Sequence, residues 1–149
     1  MSKTEKVVFM NMCMICDNGK VVVINRKKPD WPGITFPGGH VEPQEPFADS
    51  VIREIREETG LTIQSPVLCG ITDWCEDGCR YVVFLYKATR FSGELQSSVE
   101  GEVWWEEFEK LSGMKLTSGM EDYLRVFSEN ELSELYFRKE GSDWISELK

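Results

Sequence analysis

Three glutamates, Glu54, Glu57 and Glu58, fall at i, i+3 and i+4 of a segment with helical periodicity, so they are neighbours on one surface. Like charges at that spacing repel by about 0.2–0.5 kcal/mol per pair on an exposed helix. The cluster is therefore either a solvated acidic face or a set of donors for a cation. Gly38 and Gly39 stand just before the helix, and backbone without a Cβ can approach an ion or ligand closely. Converging oxygens with no Cys or His among them are what Mg²⁺ or Mn²⁺ prefers.

The elements that must position these groups are legible on both sides. Val7–Cys16 and Val21–Asn25 read as strands joined by Asp17-Asn18-Gly19-Lys20, a hairpin signal. A loop from Pro29 to Gly33 leads into Ile34-Thr35-Phe36. Residues 46–59 predict a helix whose apolar stripe is Ala48, Val51, Ile52 and Ile55, with Pro46 in its first turn and Gly60 just past its end. Residues 62–71 read as one extended segment, and 80–88 and 102–105 as further strands. A second amphipathic helix is expected near 118–127, with Met120, Tyr123, Leu124 and Phe127 on one face. The tail, 135–149, reads as either a short strand or a helix. Strands and helices mix without regular alternation, which predicts a single α+β domain, an α/β/α sandwich, over residues 1–149.

Composition narrows the partners. The 149 residues are 41% hydrophobic and 29% charged, with a net charge of -9 and no Lys/Arg block. An acidic surface repels long polyanions, so a nucleic-acid polymer is not expected as a partner. A small phosphorylated ligand is compatible, because a cation and one or two Arg side chains neutralise charge locally. The N-terminal residues 1–6 lack an apolar signal region, and no run approaches a membrane span, so the expected address is the cytoplasm, away from membranes. Five cysteines, Cys13, Cys16, Cys69, Cys75 and Cys79, are expected as thiols there. A zinc site at Cys13-x-x-Cys16 is disfavoured, because strand alternation sends the two side chains to opposite faces.

The stretch from Gly38 to Leu61, GGHVEPQEPFADSVIREIREETGL, resembles the Nudix box, G-x5-E-x7-R-E-U-x-E-E-x-G-U with U aliphatic. Gly39, Glu45, Arg53, Glu54, Ile55, Glu57, Glu58, Gly60 and Leu61 fill every fixed position. Phe36-Pro37-Gly38-Gly39 is the usual lead-in, and Glu100-Gly101-Glu102-Val103-Trp104 is similar to the segment where MutT-like members add a metal-binding glutamate. The likeness spans roughly residues 7–127.

The resemblance implies a Nudix fold with a mixed sheet and a Mg²⁺- or Mn²⁺-dependent hydrolase of nucleoside diphosphates linked to another group. Glu57 and Glu58 would bind metal with the Gly38 carbonyl, and Glu54 would be a ligand or the base that activates water. Glu57 would share in catalysis. Glu45 and Arg53 would form a structural ion pair, Gly60 would close the helix, and Gly39 would face substrate. Arg26 would bind phosphate, its bland alternative being an exposed strand-end cation. Glu100 is favoured over Glu102 as the further ligand. His40 is read as a solvent-facing loop residue rather than a base, and Trp31, Trp74, Tyr81 and Trp105 as core rather than base-stacking residues.

Within the family the chain looks most like the MutT (8-oxo-dGTP diphosphatase-like) branch, which converts a nucleoside triphosphate to monophosphate and pyrophosphate. The prototype's base-reading Asn is replaced by Leu116-Thr117-Ser118-Gly119. ADP-ribose or a dinucleoside polyphosphate is the rival substrate; the proline typical of ADP-ribose hydrolases is absent around Cys75-Glu76-Asp77-Gly78. A non-catalytic nucleotide sensor is the rival class, and retention of every box glutamate argues against it. Both monomer and homodimer are compatible with the sequence.

Overall fold

The computed structural model describes residues 2–149. Its long first strand, β1 (Lys6–Asp17), turns at Asn18-Gly19 into β2 (Lys20–Arg26), followed by β3 (Gly33–Thr35) and helix α1 (Phe47–Thr59). Then come β4 (Thr62–Gln64), β5 (Val67–Glu76), β6 (Cys79–Ala88), β7 (Arg90–Ser92) and β8 (Gly101–Glu107). A 3₁₀ turn, Phe108–Gly113, precedes α2 (Met120–Ser128) and a final hairpin of β9 (Glu134–Glu140) and β10 (Asp143–Leu148).

One eight-stranded mixed sheet runs β10-β9-β5-β6-β1-β2-β3, with β8 also on β2; β4 and β7 pair separately. The β1–β6 and β5–β9 contacts are parallel and the others antiparallel. Strand alternation divides the core into two layers. Met12, Met14, Val21 and Val23 face α2, where Met120, Tyr123, Val126 and Phe127 close over them. Cys13, Ile15, Val22 and Ile24 face Val51 and Ile55 of α1. The expected α/β/α sandwich is present, and no helix among the described residues is long and apolar enough to cross a membrane.

Several expectations need correction. The extended segment 62–71 is broken: Ser65 takes φ 50°, so β4 pairs with β7 while β5 joins the main sheet. The α1 stripe buries Val51, Ile55, Ser50 and Thr59, leaving Ile52 half-buried and Ala48 exposed. Ser50 and Thr59 tolerate burial because both hydroxyls are hydrogen-bonded, Ser50 by Asn11 and Thr59 to the Ile55 carbonyl. Pro46 is the residue before the helix rather than in its first turn, and its carbonyl accepts from Ser50 N–H. The tail is a hairpin, turning at Gly141 and laid parallel to β5.

The cysteines are free. Cys13 packs in the α1 layer and Cys16 against the α2 layer, so their thiols diverge as alternation requires. Cys75 pairs across the β5–β6 turn with Arg80 and Cys79 with Glu76, which also sends those two thiols to opposite faces.

Candidate active site

The site begins at the free edge of β1. Asn11 N–H donates to the Gly39 carbonyl at 2.8 Å and Cys13 N–H to the Pro37 carbonyl at 2.9 Å, so the glycine segment is docked on β1 like a further strand. Gly38, between those contacts, faces the other way, and its N–H donates to Glu58 Oε2 at 2.8 Å. In extended backbone the N–H and C=O of one residue share an edge, so the Gly38 carbonyl looks toward the helix as well. The packing explains why both residues are glycine. A Cβ on Gly38 would collide with the Asn11 carbonyl, and one on Gly39 with the Glu54 carboxylate.

Arg53 is the hub of the acidic face. Its guanidinium holds Glu45 in a two-pronged bond (Nε–Oε2 2.8 Å, Nη2–Oε1 3.0 Å) and also donates to the His40 carbonyl at 3.0 Å. Its Nη1 reaches Glu54 at 3.0 Å and Glu57 at 3.3 Å. The Arg53 bonds hold the Glu45 carboxyl down at about 2. This clamp ties the loop before α1 to the helix, and charge-assisted forked bonds are the strong ones. Gly60 ends α1 in the left-handed conformation, φ 81°, as expected.

Burial differs sharply among the three helix glutamates. Glu57 is 58% exposed, whereas Glu54 is 16% exposed. Burial raises the Glu54 carboxyl, with Arg53 pulling the other way. Glu58 is pushed up to about 8, first by burial and then by the like charges of Glu54 and Glu100, against the Gly38 N–H and Arg26. Glu100 is therefore near enough for its charge to act on Glu58. The rival Glu102 sits on β8 next to Val103, which points into the α1 layer, so Glu102 points to the opposite face.

Arg26 pairs with Gly101 at the mouth of the β2–β8 ladder, beside Glu100. Its own bonds go to the β2–β3 loop: Nε to the Trp31 carbonyl at 3.0 Å and Nη2 to Asp30 at 3.1 Å. Trp31 donates through Nε1 to the Ser118 carbonyl at 3.0 Å and packs on Tyr123, which anchors this loop to α2. Trp74 stacks on Tyr81, and Trp105 packs on Phe91; both pairs are parts of the sheet faces. The His40 side chain is exposed, and it is its backbone that contributes, bridging to Met10 and accepting from Arg53.

Among the described residues no three acidic, His or Cys side chains stand close enough to hold an ion as they are. The donor set nevertheless fits a hard divalent cation. Every candidate ligand is an oxygen, Glu58 is buried against like charge, and the space beside Gly39 is kept clear of any Cβ so that Glu54 can occupy it.

Two groups escaped the reading of the sequence. Asn11, 4% exposed, accepts from Gly39 N–H at 3.1 Å and donates to Ser50 Oγ at 2.9 Å, joining β1, the glycine segment and α1. Its signal was a lone amide inside an apolar strand. Lys28 lies with its Nζ 3.1 Å from Glu100 Oε2, a contact that only the β2–β8 register creates.

A family model, the NUDIX domain, matches residues 8–130. An uncharacterised Nudix hydrolase of Bacillus subtilis, YvcI, is 31% identical over 113 residues, 72% of this chain and 70% of that protein. An ADP-ribose pyrophosphatase of Methanocaldococcus jannaschii is 40% identical over 55 residues, but these cover 36% of this chain and 32% of that one. The crystal structure of a MutT protein from Bacillus halodurans superposes with a TM-score of 0.78 at 25% identity, covering 95% of this chain and 97% of the other. With the box residues gathered on and around α1 and a fold shared along nearly the whole chain, the protein belongs to the Nudix family, as a MutT-like hydrolase of pyrophosphate bonds.

Proposed function

We propose that this chain is a Mg²⁺-dependent nucleoside triphosphate diphosphatase of the cytoplasm, taking a dNTP, 8-oxo-dGTP among them, to the monophosphate and pyrophosphate. The observation that carries this reading is the half-buried pair of carboxylates Glu54 and Glu58, with the Gly38 N–H bound to Glu58 and with Glu100, in the turn before β8, near enough for its charge to act on Glu58. Glu57 and Glu58, with Glu54, Glu100 and the Gly38 carbonyl, are the groups that would hold the metal; Mn²⁺ would suit the same oxygens. Bound there, the metal supplies positive charge that shields a diphosphate from an attacking water.

The protein's own residues do the rest. Glu54, raised by burial yet held at 3.0 Å by Arg53, is placed to accept a proton from water. Arg53 and Glu45 keep the loop and helix in register around it. Arg26, beside the turn that carries Glu100, would meet a phosphate of the substrate, and Gly39, whose missing Cβ gives the Glu54 carboxylate its place, would face the same substrate. The local match to an ADP-ribose pyrophosphatase favours ADP-ribose as the second reading.

The test is release of pyrophosphate and phosphate, with Mg²⁺, from 8-oxo-dGTP, the ordinary dNTPs, ADP-ribose and a dinucleoside polyphosphate. Pyrophosphate from triphosphates, lost in Glu57→Gln, is the expected result. Turnover of ADP-ribose or the dinucleotide alone would overturn the substrate assignment, and no turnover of any would favour a sensor.

A further inference from the structure

We propose that Lys28 is a resident counter-ion of Glu100, surrendered to the substrate's outermost phosphate when a divalent cation takes that carboxylate. The inference deepens the triphosphatase reading and rests on it for the phosphate contact. Lys28 Nζ stands 3.1 Å from Glu100 Oε2, and the side chains are 57% and 35% exposed. The pairing is built in by topology: Arg26 lies opposite Gly101, so the chain leaving β2 and the chain entering β8 meet at the same corner of the sheet. Lys28 is two residues beyond Arg26 and Glu100 one before Gly101.

Glu100 is close enough to Glu58 to push up the latter's pKa, so it belongs to the same acidic group. A lysine on one of those carboxylates competes directly with a metal for it. Lysine suits that role because its ammonium is a compact charge on a flexible stem, free to swing between partners. Arg26 does not share this freedom, being bound to Asp30 and the Trp31 carbonyl. The loop between them is itself fixed, because Trp31 is hydrogen-bonded to Ser118 and packed on Tyr123. Only the tip bearing Lys28 needs to move. A released ammonium beside the acidic group would meet a phosphate lying outward of the diphosphate, which a nucleoside triphosphate supplies and ADP-ribose does not.

The experiment titrates EDTA-stripped protein with Mn²⁺, following free Mn²⁺ by electron paramagnetic resonance. Lys28→Met should tighten Mn²⁺ binding about two- to fivefold, the range an ion pair this exposed is worth. The same substitution in a Glu100→Gln background should leave Mn²⁺ affinity where Glu100→Gln alone puts it. With Mg²⁺ saturating, Lys28→Met should raise KM for dGTP by about two- to fivefold, with Lys28→Arg closer to the wild type. Unchanged or weaker Mn²⁺ binding in Lys28→Met, or tightening that persists without Glu100, would overturn the exchange. Tightening with an unchanged KM would overturn the handover to phosphate. If wild-type protein turns over no triphosphate, the proposed function fails, and the Mn²⁺ titration still judges the exchange by itself.

Discussion

Replacing Glu58 by Gln should make the metal-free protein more stable at neutral and alkaline pH. The Glu58 carboxyl is mostly buried and faces Glu54 and Glu100, which lifts its pKa from 4.5 to about 8. A pKa raised on folding means that the folded protein keeps a proton which the unfolded chain has released. The stability contributed by that proton is complete below about pH 4.5 and is lost as pH rises toward 8. Across that window the loss runs at about 1.4 kcal/mol per pH unit. Gln abolishes the titration and retains an oxygen for the Gly38 N–H. The gap between the two proteins should therefore be close to nothing near pH 4.5 and reach about 3 kcal/mol at neutral pH, or roughly 6–12 °C in Tm for a chain of this size. The assay is thermal unfolding by circular dichroism in EDTA, at half-unit steps from pH 5 to pH 8.5. Millimolar Mg²⁺ should then raise the Tm of the wild type much more than that of Glu58→Gln, because only a ligand of the folded state stabilises it. A gap that does not change with pH, or a variant that is less stable than the wild type in EDTA at pH 8, would refute the electrostatic reasoning.

The two adjacent glycines should separate stability from activity. Gly38→Ala drives a methyl into the Asn11 backbone and should cost about 1–3 kcal/mol in denaturant unfolding, whereas Gly39→Ala meets the movable Glu54 side chain and should fold well but lose most of its turnover. Asn11→Ala leaves the Gly39 N–H and Ser50 hydroxyl without their buried partner, so urea unfolding should show a loss of about 1–3 kcal/mol. Arg53→Lys keeps the charge and loses the fork; carboxyl NMR should find Glu45 moved up from about 2 toward ordinary values.

The site was legible where chemistry and periodicity coincide. The three glutamates share a surface of α1 because helical spacing demands it, and the cores of β1, β2, β3, β6 and β8 are visible as apolar runs. By contrast, β4 and β5 read as one segment, β7 does not stand out, and the tail reads as either strand or helix. What stayed hidden depends on partners distant in the chain. Nothing local distinguishes Glu100 from Glu102; what does is that Glu100 lies in the turn before β8, half-buried at the corner where β2 ends, while Glu102 lies exposed within the strand. Ala48 looks apolar enough to be buried, yet the helix is rotated so that Ser50 faces β1, where Asn11 waits for its hydroxyl. The tail became a hairpin because β5 offers it an open edge, a template that lies some sixty residues upstream.

β1 carries the glycine segment along one edge and β6 along the other. A ribosome delivers the whole acidic helix well before it delivers Cys79–Ala88, so for that interval β1 has β2 and the glycine segment beside it but its β6 edge is open. Bringing such distant segments together is slow and leaves the early half exposed to wrong pairing. A nascent chain halted before β6 would therefore carry every box residue without the strand that holds β1 in the main sheet.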